Sequence, residues 1–211
     1  MLAFSRRTLR NRHIKEAQFR KVAAELQAGD IILLHTRFHA LSWLIRFISK
    51  SYWNHVAIVL TTFEDLPGFH SVLVAEAAED GIEIHRMQKF LDNGLYDFGV
   101  KRVAGLSKED RDNLTGYILS NIDSPYDYRR LARNGYAFLT GDFKRFKNLV
   151  NDKSFLCSSF IQKAFYFSLP PEKRSQIIFL PPHDMERTSE FITPGDFAKT
   201  HNTEWIFNER Y

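Results

Sequence analysis

Cysteine occurs once in the 211 residues, at Cys157, so no disulfide can form within the chain. That economy fits a reducing compartment. No apolar run approaches the roughly 20 residues needed to span a bilayer. The opening stretch MLAFSRRTLRNRHIKEAQ lacks the apolar segment of a secretory signal. Its Ser5-Arg6-Arg7-Thr8-Leu9-Arg10 looks superficially like a twin-arginine signal, but charge follows it where an apolar stretch is required. The expectation is a soluble, cytoplasmic protein whose membrane contact, if any, is peripheral. Phosphate-binding loops, dinucleotide fingerprints, internal repeats and low-complexity tracts are all missing. The eight histidines form no cluster. His35 and His39 stand four apart, yet one falls at a strand end and the other near a helix start, with no intervening acid of the zinc-protease kind. No metal and no cofactor are expected.

Hydrophobic residues make up 44% of the chain, with nineteen Phe and eight Tyr. A globular domain with a ring-rich core or an apolar surface pocket follows. The net charge of +4 is concentrated at the start. There Arg6, Arg7, Arg10, Arg12, Lys15, Arg20 and Lys21 are opposed only by Glu16. Such a segment reads as a solvated basic helix, with an anionic membrane surface as its alternative partner. Phe4 and Phe19 alone do not make a stacking platform, so nucleic acid is not expected.

Periodicity divides the remainder. Residues 8–27 read as an N-terminal helix, and 1–25 as a basic segment ahead of a single domain over 26–211. The turn at Gly29-Asp30 leads into a buried strand at Ile31–Leu34. Helical spacing of Leu41, Leu44, Ile45 and Ile48 marks a helix over 38–50, with Trp43 and Phe47 on an adjacent face. The first group is expected in the core, and Trp43 or Phe47 at the edge of a cleft or in solvent. Further strands are expected at Val56–Leu60, Ser71–Ala75, Ile82–Met87 and Tyr96–Val103, the third of these entered through the turn Asp80-Gly81. Ser107, with Glu109 and Asp110 behind it, caps a helix running to about Ile122. Helices are expected at Tyr128–Leu139 and Leu156–Phe167, and an irregular end with short helices. A strand meander followed by helices is an α+β arrangement, an antiparallel sheet packed against helices.

Three residues carry chemistry. Cys157 sits at a helix start, where free backbone N–H groups and the helix dipole favour a thiolate and can receive an oxyanion. His55 stands at the beginning of an apolar strand, where an imidazole can take the thiol proton and return it to a leaving group. Glu76 follows the strand ending at Ala75 and could hold that imidazole in the required tautomer, with Glu79 and Asp80 as rivals. Read singly, each has an ordinary structural explanation: a small buried thiol, a strand-end histidine, an exposed acid.

Their order and surroundings resemble a known group. Leu26-Gln27-Ala28-Gly29-Asp30-Ile31 resembles the "LxxGDL" strand of NlpC-type cell-wall peptidases. Tyr52-Trp53-Asn54-His55-Val56-Ala57-Ile58-Val59 resembles their "SHVGIY" strand, and Val74-Ala75-Glu76-Ala77 with Gly81-Ile82-Glu83-Ile84 the hairpin after it. Ser124-Pro125-Tyr126-Asp127 and Leu156-Cys157-Ser158-Ser159-Phe160-Ile161 resemble the tyrosine and "CS" helix segments. Those segments precede the histidine in the ordinary family and follow it here. This permuted order is that of the YiiX and YebB type of papain-like proteins, related to the lecithin:retinol acyltransferase group. The resemblance implies a circularly permuted papain-like (NlpC-like) fold, with Cys157 as nucleophile, His55 as base, Glu76 as orienting acid and Tyr126 as a donor to substrate or oxyanion. Asn54 departs from the usual small serine, and Ala57 from the usual glycine.

The function expected is a thiol hydrolase, an amidase or peptidase acting through a thioester. A lipid acyl hydrolase or acyltransferase with the same residues is the second expectation, and a non-catalytic binding module the third. The partners expected are a peptide, amide or acyl-lipid substrate.

Overall fold

The computed structural model describes residues 20–36, 40–63, 66, 68–92, 95–142, 155–174 and 191–208. Strand β1 (Ile31–Thr36) is followed by helix α1 (Ala40–Ser49), then β2 (His55–Thr62), β3 (Val72–Ala78) and β4 (Gly81–Arg86). A single helical turn, α2 (Lys89–Asp92), precedes β5 (Tyr96–Val103). The second half supplies α3 (Lys108–Ser120), α4 (Tyr128–Thr140), α5 (Cys157–Ser168), the short α6 (Pro171–Arg174) and α7 (Pro194–Lys199), and finally β6 (Thr203–Asn208).

The six strands form one antiparallel sheet in the order β4-β3-β2-β1-β5-β6. Apolar residues on successive positions of β1 bury both faces, because strand side chains alternate. Ile31 and Leu33 join Val56, Ile58, Phe160, Ile161 and Phe165 under α5, while Ile32 and Leu34 join Val22, Leu26, Val59, Phe69, Phe90 and Phe98 on the other side. Each such side chain contributes about 1.5–3 kcal/mol on burial. Helix α5 lies over β2 and β3 and packs against α3, and α1 touches α4.

Local chemistry explains the element ends. Ser107 and Asp110 cap α3 reciprocally: the Asp110 N–H donates to Ser107 Oγ at 3.1 Å, and the Ser107 N–H to Asp110 Oδ2 at 2.8 Å. Asp127 caps α4 by accepting from the Arg130 N–H at 2.8 Å. At the start of β1, Asp30 is fully buried and receives two hydrogen bonds from Arg102, at 2.7 and 2.6 Å.

The expected α+β architecture is present, with two differences in detail, the strand β6 and the length of β3. The sequence gives no strand at the C-terminal end, yet β6 pairs with β5 there. Strand β3 runs to Ala78 rather than Ala75, so Glu76 lies inside it and not beyond it. Helix α1 is described from Ala40, and Phe38 and His39 of the helix expected over 38–50 lie outside the described residues. Of the N-terminal helix expected over 8–27, only residues 20–25 are described as helical; residues 1–19 lie outside the described set. Among the described residues, no helix is long and apolar enough to cross a membrane.

Candidate active site

His55 is the first residue of β2, pairing with Leu34 of β1. Asn54, immediately before it, is buried and bonds both backbone groups of Thr36, accepting from its N–H and donating to its carbonyl, each at 3.2 Å. That pair of bonds locks the start of β2 to the end of β1, which a serine side chain is too short to do. The departure from the resembled motif therefore fixes the backbone next to His55.

Glu76 shares the sheet face of Val74 by strand alternation and is buried. The His55 Nε2–H donates to Glu76 Oε2 at 2.5 Å. Nδ1 is the nitrogen left for Cys157, whose charge acts on the His55 ring. Cys157 opens α5, and its sulfur meets the Ser158 hydroxyl at 3.8 Å. The structure thus brings together Cys157, His55 and Glu76 from three elements, α5, β2 and β3.

The electrostatics follow from these contacts. Burial alone would push the His55 imidazolium toward neutrality. The negative Cys157 sulfur and Glu76 carboxylate outweigh it, and the ring is raised from its ordinary 6.5 to about 10. Burial opposes ionisation of Cys157, but the charge and hydrogen bond of His55 lower its thiol below the ordinary value, with further help from Ser158 and Val56. Glu76 is held well below the usual carboxylate range against the cost of burial, by donors from His55 and His85. These shifts run in the directions that favour thiolate, imidazolium and carboxylate.

Tyr126 is placed by the backbone. It forms a parallel bridge with Phe155, in which Phe155 N–H donates to the Pro125 carbonyl at 3.1 Å and Asp127 N–H to the Phe155 carbonyl at 3.0 Å. Phe155 stands two residues before Cys157, so the bridge holds Tyr126 beside the thiol. Burial and then the nearby Cys157 charge raise its phenol above the ordinary value, so it stays a protonated donor. The N-cap of α5 is Leu156, whose side chain cannot accept from the first-turn N–H groups. Those groups are left to an incoming oxyanion.

Two neighbours of Glu76 were not evident from sequence. His85 Nε2 lies 2.6 Å from Glu76 Oε1, and Lys89 Nζ 3.2 Å from the same oxygen. A signal existed: His85 falls in the hairpin strand after Glu76, at a register position diagonal to it, opposite Val74. Glu79 and Asp80, the rival acids, are exposed at the hairpin turn.

His35 is committed elsewhere. Its Nδ1–H donates to the Tyr52 carbonyl at 2.7 Å, its Nε2 faces Arg46 at 3.1 Å, and its ring stacks on Tyr52 at 4.0 Å. His39 lies outside the described residues. Among the described residues, no group of three or more His, Cys, Asp or Glu could hold a metal ion. Trp43 and Phe47 face solvent, each 61% exposed, with rings stacked at 5.6 Å. Ile45 is half-buried, and the side chains of Leu41, Leu44 and Ile48 are outside the described set.

Comparison with known proteins agrees with this fold. A family described as "Permuted papain-like amidase enzyme, YaeF/YiiX, C92 family" matches residues 25–206. Among solved structures, the fold is similar to that described as the crystal structure of metalloprotein yiiX from Escherichia coli O157:H7, DUF1105. That likeness has a TM-score of 0.56 at 16% identity, and covers 87% of this chain and 97% of that one. Among curated proteins, none matches the sequence.

Proposed function

Because this chain belongs to the permuted papain-like amidase family of YaeF/YiiX, C92 type, we propose that it is a cysteine amidase or peptidase using Cys157, His55 and Glu76. The observation that supports this reading is the His55 Nε2–Glu76 Oε2 hydrogen bond at 2.5 Å, beside Cys157 at the start of α5, whose charge acts on the His55 ring. In the first half-reaction the Cys157 thiolate attacks the amide carbonyl carbon. The oxygen takes the negative charge and is received by the Cys157 backbone N–H and the Tyr126 hydroxyl. As the C–N bond breaks, the His55 imidazolium gives its proton to the leaving amine, leaving a thioester on Cys157. Neutral His55 then takes a proton from water, whose oxygen attacks the thioester. The carboxylic acid departs and the thiolate–imidazolium pair is restored. Glu76 keeps the imidazole oriented and stabilises its charged form throughout.

A lipid acyl substrate is the second reading, and the exposed Trp43–Phe47 stack on α1 favours it. Helix α1 leads into β2 and His55, so an acyl chain lying on that stack would approach the same end of the sheet. Exposure of the full chain to a peptide amide and to a lipid ester, followed by intact-protein mass spectrometry, separates the two. A thioester from the amide, lost in Cys157→Ala, supports the leading reading. Acylation by the lipid ester alone overturns it in favour of the second. Acylation by neither overturns both and leaves a binding module on this fold.

A further inference from the structure

Glu76 has two carboxylate oxygens, and only Oε2 faces His55. Oε1 is occupied from the other side. His85 Nε2 stands 2.6 Å from it and Lys89 Nζ 3.2 Å. His85 is itself held: its Nδ1 lies 3.1 Å from the Arg86 carbonyl, and its ring stands edge-on to Phe90 with centroids 5.0 Å apart. Phe90 is buried in the core under this sheet face. Lys89 comes from α2, the single turn that follows β4, so α2 delivers both the lysine and the ring that supports the histidine. One neighbouring strand and one turn of helix thus converge on one carboxylate oxygen that the reaction itself does not touch.

We infer that His85 is a positioning residue of this site, and that with Lys89 it clamps Glu76 Oε1 so that Oε2 is presented to His55 as a fixed, ionised acceptor. The inference rests on the triad reading and extends it to Cys157–His55–Glu76–His85, with Lys89 beside His85 on the same Glu76 oxygen. An unclamped carboxylate on a strand can rotate about its terminal torsion, which is broad. It would then share its oxygens between His55 and any other donor, and protonate more readily as the pH falls. With Oε1 taken by two donors, rotation is blocked and the ionised form is favoured. The thiolate–imidazolium pair that Glu76 supports then persists to lower pH. The charged and titratable groups around Glu76 are His55, His85, Lys89 and the Tyr96 phenol, with Glu83 3.5 Å beyond Lys89 and Cys157 beyond His55. Tyr96 is raised by burial and by the Glu76 charge and stays neutral, and Glu83, opposite Glu76 in the β3–β4 register, lies 3.5 Å from Lys89 Nζ.

Cys157 is the sole cysteine, so thiolate absorbance and iodoacetamide alkylation report on this site alone. Both are measured against pH in the intact chain for the native protein, His55→Ala, His85→Ala, His85→Gln and Lys89→Gln, with circular dichroism as the check on folding. His85→Ala is expected to move the acid midpoint of thiolate formation up by about one pH unit, which slows alkylation about tenfold at pH 6. His85→Gln keeps a donor toward Oε1 and is expected to recover most of that loss. Lys89→Gln, at a side chain 48% exposed, is expected to shift the midpoint in the same direction by less. It carries the test without risk to the fold if His85→Ala does not fold. Should His55→Ala slow alkylation while His85→Ala and Lys89→Gln match the native protein, the clamp is wrong and the triad stands. Should His55→Ala itself have no effect, the triad reading fails and the clamp with it.

Discussion

His55 Nε2 and Glu76 Oε2 are 2.5 Å apart, and the bond joins the first residue of β2 to the interior of β3. A buried carboxylate that close to an imidazole fixes both its orientation and its charge. Glu76→Gln keeps the shape but removes the negative charge, so the imidazolium loses its counter-ion. Turnover of an amide substrate is expected to fall by about 10²–10⁴-fold, with KM changed far less. Steady-state kinetics on the folded variant provide the check, and a loss under threefold would remove Glu76 from the mechanism.

The pH dependence follows from the shifts at the pair. The Cys157 thiol is lowered and His55 is raised to about 10. Below the first midpoint the thiolate is protonated and cannot attack. Above the second, the imidazolium is gone and the leaving amine lacks its proton. The profile of kcat/KM is therefore expected to be bell-shaped, with the acid limb below the ordinary thiol value and the alkaline limb near 10. An acid limb at the value of a free thiol would show that no ion pair forms.

Gly81 has φ +121°, and a Cβ built there would stand 2.6 Å from the Ser124 carbonyl oxygen. The Ile82 N–H donates to that same oxygen at 3.0 Å, so the β3–β4 hairpin holds the segment that carries Tyr126. Gly81→Ala must push Ser124 away and adopt a backbone conformation costly for any side chain. It is expected to lower amide turnover together with Tyr126→Phe, the latter by about 10- to 100-fold through loss of an oxyanion donor. Alkylation of Cys157 by iodoacetamide, which needs no such donor, is expected to stay within about threefold in Tyr126→Phe.

Much of the site was legible because its residues stand at element boundaries. A cysteine at a helix start and a histidine at a strand start announce themselves through local patterning, and the permuted motif order is what proposes their pairing. Glu76 was named, but its strand seemed to stop at Ala75 because Ala77 and Ala78 carry a weak strand signal. The β3–β4 register extends the strand to Ala78 and turns Glu76 inward. His85 and Lys89 were missed because their partner is one oxygen of Glu76, and register between strands decides that contact. Strand β6 was missed because its partner β5 lies about a hundred residues earlier, and Pro194-Gly195 just before it reads as irregular chain. Its Trp205-Ile206-Phe207 run was the available signal.

Lys101 is the least legible residue and carries the last prediction. It lies on β5, is 2% exposed, and its Nζ donates to the carbonyls of Phe197, Ala198 and Thr200 at 3.1, 3.1 and 2.8 Å. These carbonyls belong to the last turn and C-cap of α7, where a cation is favoured. Its ammonium also stands 5.1 Å from the Trp205 ring on β6. Lys101 thus ties α7 and the final strand to the sheet. Lys101→Met leaves the carbonyls without these donors and is expected to cost about 2–4 kcal/mol in stability near neutral pH. Burial lowers this lysine to about 8, so between about 8 and its ordinary 10.5 the unfolded chain binds more protons than the folded one. Stability then rises with pH in that window. The native protein should therefore gain stability relative to Lys101→Met as the pH rises from 8 toward 10, read by urea titration at each pH. A constant difference across the window would show that Lys101 does not titrate in the folded state.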